Sequence, residues 1–113
     1  MHEAGLIQSM LATAEREARR AGGTRIELVR LRVGRLSAVV PEALEHAFAV
    51  LKTETMARDA AMDVEYVPGL LFCATCEQDF STDDMIGECP TCGAPSGFVK
   101  DGMDVQLVSL EVS

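Results

Sequence analysis

The chain has 113 residues, of which 48% are apolar, and it carries a formal net charge of −8. That length supports one modest core with a small metal-stapled appendage but not two large cores. The acidic balance excludes a nucleic-acid partner that would need a basic footprint. The first fifteen residues contain no Lys or Arg, and no apolar run reaches the roughly 18 residues a bilayer span requires. A cytoplasmic, membrane-free protein is therefore expected, with its four cysteines reduced.

In chain order, the first element is an amphipathic helix. Leu6, Ile7, Met10, Leu11, Ala14, Ala18 and Ala21 recur at steps of three and four, with Glu15, Arg16, Arg19 and Arg20 on other faces. Arg19 and Arg20 suit the negative end of the helix dipole, and Gly22-Gly23 supply a left-handed stop. In the strand that follows, Val29, Leu31 and Val33 alternate with Arg30 and Arg32 up to Gly34. Ile26 and Leu28 have the opposite parity, which predicts a bulge or a second covered face.

Pro41 opens a second helix lined by Leu44, Phe48 and Leu51. Met62, Val64 and Tyr66 then form a second strand that stops at Pro68-Gly69. A strand, helix and strand in this order predict a parallel pair joined by a crossover. The closing "MDVQLVSLEV" adds a third strand whose apolar parity switches at Leu107-Val108. The expected fold is α+β: a small α/β core, with two helices on a three-stranded mixed sheet, and an inserted four-cysteine zinc-ribbon module. The expected division is residues 1–68 plus 102–113 for the core and 69–101 for the module.

Within the insertion, "CATC" and "CPTC" place Cys73, Cys76, Cys89 and Cys92, with twelve residues between the pairs. Two intervening residues let a tight turn aim both sulfurs at one ion, and two facing turns complete a tetrahedral shell. Four thiolates leave no open coordination position, so the ion is expected to be structural. Zinc fits without further requirements. Iron fits the same shell, since "CPTCG" also resembles a rubredoxin knuckle, and a redox dithiol pair is the remaining alternative. Gly93 follows the last ligand, where a positive φ lets backbone N–H groups point at the thiolates. Leu71, Phe72, Phe80, Ile86 and Phe98 are too few large apolar residues to fold such a module unaided.

The charge is uneven. Residues 1–67 hold nine Lys/Arg against ten Asp/Glu, net −1, whereas residues 68–113 hold one against eight, net −7. Such an acidic region serves solubility or meets a basic patch on a protein partner. Arg30, Arg32 and Arg35 read as a solvated strand edge in preference to a docking face, and His46, well around the second helix from its apolar side, as a surface histidine in preference to an auxiliary nickel donor. No catalytic constellation or phosphate-binding glycine loop is present in the sequence.

The opening "MHE" suits metal chelation. Residue 2 is too large for removal of the initiator, so Met1 is expected to keep its free amine two residues from the imidazole. The Met1 amine, the His2 amide nitrogen and His2 Nδ1 then close adjacent chelate rings, with a fourth donor from the Glu3 amide or carboxylate or from a partner. Planar N/O coordination of this kind suits Ni²⁺ or Cu²⁺.

Taken together, "MHE", "GRLSAVVPEALEHAF", the paired "CATC" and "CPTC", and "GMDVQLVSLEV" resemble the HypA/HybF family of hydrogenase nickel-incorporation proteins from Met1 to about Val112. The resemblance implies a nickel metallochaperone for [NiFe]-hydrogenase maturation, with urease a further client of some members. Met1, His2 and Glu3 match the family's nickel-binding terminus, and Cys73, Cys76, Cys89 and Cys92 match its zinc ligands. It further implies a GTPase accessory partner and delivery to the hydrogenase large-subunit precursor, by a monomer or weak homodimer. Asp104 stands where the family more often has Glu. The competing reading from the residues alone is a zinc-ribbon adaptor or a rubredoxin-like electron carrier.

Overall fold

A computed structural model describes residues 3–113. The elements are α1 (Glu3–Arg20), β1 (Ile26–Gly34), α2 (Pro41–Leu51), β2 (Ala61–Val67), β3 (Gly69–Cys73), β4 (Gln78–Thr82), β5 (Gly87–Glu88), β6 (Pro95–Ser96), β7 (Val99–Asp101) and β8 (Val105–Val112). Short 3-10 turns follow β1 and α2. Three sheets form, with orders β2-β1-β8, β4-β3-β7 and β5-β6. The α+β expectation, with two helices and mixed sheets, is what the chain adopts.

Helix α1 buries Leu6, Ile7, Met10, Leu11, Ala14 and Ala18, the stripe that three- and four-residue spacing dictates. Ala21 does not extend it. The helix ends at Arg20, and Ala21 is exposed. The Gly23 N–H bonds to Ala18 O at 2.9 Å and the Gly22 N–H to Arg19 O at 3.0 Å, with Gly22 at φ 77°. This paired closure with a left-handed residue satisfies carbonyls that the helix end would otherwise leave open. Helix α2 starts at Pro41, where the missing N–H is one the helix does not use. It buries Leu44, Ala47 and Phe48, while Leu51 is only half-buried.

Strand β1 buries Ile26, Val29, Leu31 and Val33. The parity break falls between Ile26 and Val29, with Leu28 half-covered on the other face. Arg25 and Ser113 exchange both backbone bonds, at 3.1 and 2.8 Å, and the Gly34 N–H bonds to Asp104 O at 2.8 Å. One register joins both ends, so β1 and β8 run antiparallel. Ion pairs Arg30–Asp63 and Arg32–Glu65, at 3.8 and 3.5 Å, advance in the same direction along β1 and β2, as in a parallel pair. In β8 the inner positions change parity at Ser109-Leu110 rather than Leu107-Val108, leaving Val108 exposed.

The arginines are not at a strand edge. β1 is the middle strand, and Arg30 reaches Asp63 on one side and Glu111 on the other, the latter at 3.2 Å. Acids of β2 hold Arg30 and Arg32 across the sheet's solvated face and an acid of β8 also holds Arg30, whereas Arg35 lies past the strand, on the 3-10 turn, and pairs with Asp83 at 3.9 Å. His46 is exposed, as its place on α2 requires.

Backbone packing resolves two units. One gathers the chain up to Arg32, Val39–Glu65 and Gln106–Ser113; the other gathers Val33–Ala38 and Tyr66–Val105. The turn after β1 thus belongs with the cysteine-bearing stretch, because Leu36 is part of its buried cluster. Gly34 and Gly102 meet inside that second unit: a Cβ on Gly34 would lie 2.0 Å from Gly102 O. Gly102 itself has φ 96°, and a Cβ there would lie 2.6 Å from Gly69 Cα. Only hydrogen fits where these backbones cross. Among the described residues, no helix is long and apolar enough to cross a membrane.

Candidate metal centre

Two hairpin-like turns carry the four cysteines. Cys73 ends β3, and Cys76 lies on the turn into β4, in a hairpin whose register pairs Leu71 with Phe80 and Cys73 with Gln78. Cys89 follows β5, and Cys92 lies on the turn into β6. Both turns finish on a left-handed residue one position past the second cysteine: Glu77 at φ 53° and Gly93 at φ 75°. Glycine signals the second in the sequence; nothing signals the first.

The four Sγ atoms lie within 4.8 Å of one another. Cys73 and Cys92 are 3.6 Å apart, and Cys89 and Cys76 are 4.0 Å apart. A tetrahedral ion with metal–sulfur bonds of about 2.3 Å separates its sulfurs by about 3.8 Å, so the donor set fits one ion of zinc or iron size. Cys73 and Cys89 are buried, Cys76 is half-buried and Cys92 is exposed.

Backbone donors prepare the sulfurs for charge. The Cys76 N–H points at Cys73 Sγ, 3.4 Å away. Chiefly the Cys92 N–H, and then that of Thr91, lower the Cys89 thiol to about 6, so it is a thiolate at neutral pH. The Cys76 thiol is pushed up to about 12, first by its contact with the Cys92 side chain. Four sulfurs this close cannot all ionise without a cation among them, whereas a divalent ion removes that conflict.

Around the centre, Leu36, Leu71 and Phe80 join Cys73 and Cys89 in one buried cluster, with Val99 and Cys76 packed against it. Ile86 and Phe98 do not contribute. They are 71% and 64% exposed, although Phe98 keeps an edge-on contact with the half-buried Phe72 ring at 5.9 Å. Two of the five large apolar residues expected to build this module are therefore on its surface.

Of the proposed nickel donors, Met1 and His2 lie outside the described residues. Glu3 opens α1, and its Oε2 accepts the Val40 N–H at 2.9 Å.

Comparisons with known proteins agree over the full span. The family model described as "Hydrogenase/urease nickel incorporation, metallochaperone, hypA" matches residues 1–112. A hydrogenase maturation factor HypA from Picosynechococcus is 38% identical over 112 residues, covering 99% of both chains. One from Dechloromonas aromatica is 34% identical with the same coverage. The solution structure of the Ni metallochaperone HypA from Helicobacter pylori superposes with a TM-score of 0.71 at 27% identity, covering 99% of this chain and 97% of that one.

Proposed function

This chain belongs to the HypA family of hydrogenase/urease nickel-incorporation metallochaperones, and on that footing we propose that it binds Ni²⁺ at its own amino terminus and hands it on during [NiFe]-hydrogenase maturation. The observation that carries the reading is the family match over residues 1–112, which takes in "MHE". Met1 supplies the amine, His2 the amide nitrogen and Nδ1, and Glu3 or a partner the fourth donor. These donors suit a square-planar Ni²⁺ that must later leave, because all of them regain protons or hydrogen bonds once the metal is gone.

Cys73, Cys76, Cys89 and Cys92 would hold a structural Zn²⁺, whose chemistry here is charge neutralisation and cross-linking. The sulfur spacing supports this reading, and so does the small buried cluster around it. The protein then acts as a carrier and not as a catalyst, working in the cytoplasm as a monomer or weak homodimer. Its partners are a GTPase accessory protein and the hydrogenase large-subunit precursor, with urease as a further client. The net −7 of residues 68–113 supports docking to a basic surface on one of them.

Nickel titration of untagged protein tests the reading. His2→Ala should lose most nickel affinity while keeping its fold and zinc content. Binding should also weaken as pH falls from 8 towards about 5.5, since imidazole and amine protonate near 6.5 and about 7.7–8.0. Unchanged stoichiometry, affinity and spectrum in His2→Ala would overturn the amino-terminal site. With zinc as its only metal the protein should be colourless, whereas a red protein would replace zinc by iron.

A further inference from the structure

The four cysteines of the metal centre are not equally reachable. Cys73 and Cys89 are buried in the cluster with Leu36, Leu71 and Phe80, and Cys76 packs against it, whereas Cys92 is exposed and takes no part. The turn that carries Cys92 offers no cover either. Pro90, Thr91 and Gly93 are all exposed, and a Cβ built on Gly93 would meet nothing within 4 Å. Solvent therefore meets the centre chiefly at one sulfur.

Beside that sulfur lies one of the buried ones. Cys92 Sγ is 3.6 Å from Cys73 Sγ, and the other short approach, Cys89 to Cys76 at 4.0 Å, also runs between the two turns. The closest sulfurs are thus paired across the turns and not within each Cys-X-X-Cys. A disulfide needs its sulfurs at about 2.05 Å, so Cys73 and Cys92 must close by only about 1.5 Å. Such a bond would join the end of β3 to the turn between β5 and β6, the same two segments that a bound ion joins, and so would keep that loop of the chain closed.

We propose that Cys92 is an oxidation site through which a peroxide opens the metal centre, with Cys73 as the resolving thiol; the proposal rests on the zinc reading above. With hydrogen peroxide as oxidant, the Cys92 thiolate attacks one oxygen, the O–O bond breaks and an S–O bond forms, giving a sulfenic acid and hydroxide. The sulfur gives up two electrons and the peroxide takes them. The Cys73 thiolate then attacks the Cys92 sulfur: the S–S bond forms, the S–O bond breaks and a second hydroxide leaves. Cys76 and Cys89 remain as the only thiolate donors, too few for a closed shell, and the ion is released. A dithiol reductant reverses the step. It attacks the exposed Cys92 sulfur and expels the Cys73 thiolate, then closes its own disulfide and frees Cys92.

The test uses the full untagged chain with its native metal, treated with one equivalent of hydrogen peroxide beside a chromophoric zinc indicator, then blocked with N-ethylmaleimide. Cleavage at Asp79 and Asp83, between the two pairs, leaves Cys73 with Cys76 on one peptide and Cys89 with Cys92 on another. A bond across the turns then links two peptides by mass, and a bond within a turn links none. A parallel sample contains a cyclic dione that captures sulfenic acid. One ion should be released for each disulfide formed, with the two peptides linked through Cys73 and Cys92 and the dione carried on Cys92. Dithiol with added zinc should restore the original zinc content.

Disulfides within each turn, or a disulfide-linked dimer, would overturn Cys73 as the resolving thiol. A dione adduct on another cysteine would overturn Cys92 as the point of entry. Thiols and zinc left intact by excess peroxide would overturn the proposal outright. Iron, or no metal, in the protein as purified would instead overturn the zinc reading, and the peptide map of that same sample would still decide the step between Cys92 and Cys73.

Discussion

The two units reach stability by different physical routes. The helical unit buries Leu6, Ile7, Met10, Leu11, Ile26, Val29, Leu31, Leu44 and Phe48, each contributing roughly 1.5–3 kcal/mol when fully removed from water. In the cysteine unit, the buried cluster is Leu36, Leu71 and Phe80 with two of the four cysteines, while Met85, Ile86, Phe98 and Met103 face solvent. A region that exposes most of its large side chains and gathers four thiols is expected to depend on what those thiols bind. One unit should respond to cavities, the other to metal and pH.

The largest effect expected is loss of the metal. Chelation, or Cys73→Ser, should unfold the cysteine unit and leave the helical unit's transition in place, because binding energies of about 10–16 kcal/mol for structural zinc are also folding energies. NMR of the two units during chelation checks this, and a single unchanged melting profile would break the contrast. Acid should act in the same direction. Cys89, lowered to about 6, contributes stability above the ordinary thiol range that is lost as pH falls through about 6. Cys76, raised to about 12, contributes in the opposite sense, below the ordinary thiol range, and loses its contribution as pH rises towards 12. At neutral pH a bound ion must expel the Cys76 proton, so metal affinity should fall steadily between pH 8 and pH 6 in chelator competition.

Next in size is a cavity in the helical unit. Leu44 is fully buried on α2, and Leu44→Ala should cost about 2–5 kcal/mol in denaturant unfolding. Metal content should be unaltered. If the metal were lost as well, the two units would not be energetically separate.

A third substitution tests the backbone crossing within the cysteine unit. Gly102→Ala places a methyl 2.6 Å from Gly69 Cα and 2.8 Å from Pro68 O, at φ 96°. A backbone wall cannot swing away as a side chain would, so a loss of about 2 kcal/mol or more is expected, read from the cysteine unit's own transition with metal bound.

What was legible in the sequence follows the same division. Periodicity located α1, β1, α2, β2 and β8, because burial on one face imposes a period and the helical unit is built by burial. It failed inside the cysteine unit. There, Ile86 and Phe98 look like core residues but lie outside, because the buried cluster is already filled by Leu36, Leu71, Phe80 and two of the cysteines. The spacing of the cysteines disclosed the cluster, which no hydropathy pattern could. Pairing escaped within the helical unit: Arg30 and Arg32 looked like an edge because the sequence of β1 alone does not show that acids on β2, and for Arg30 also on β8, lie beside them. Nor could it show Glu3 bonded to Val40, a long-range contact between an ordinary first-turn acid and a backbone amide. Glu77 in a left-handed conformation left no mark at all, although its counterpart Gly93 did.

That last pair carries the smallest effect. Both knuckles end on the same backbone shape, with Glu77 at φ 53° and Gly93 at φ 75°, yet only one uses the residue that takes this shape without strain. A left-handed conformation costs an L-residue about 1–2 kcal/mol, against which glycine loses about 0.5–1 kcal/mol of extra unfolded-chain freedom. Glu77 is exposed, so replacing it removes little packing. Glu77→Gly should therefore stabilise the metal-bound cysteine unit by roughly 0.5–1 kcal/mol, on the scale of the difference between those two costs. Gly93→Ala, where a Cβ would meet nothing within 4 Å, should destabilise it by a similar amount through strain alone. Opposite shifts of comparable size in the unit's unfolding midpoint would show that the two turns are conformationally equivalent. A loss on Glu77→Gly would mean that the Glu77 side chain contributes more to the first turn than its backbone strain costs.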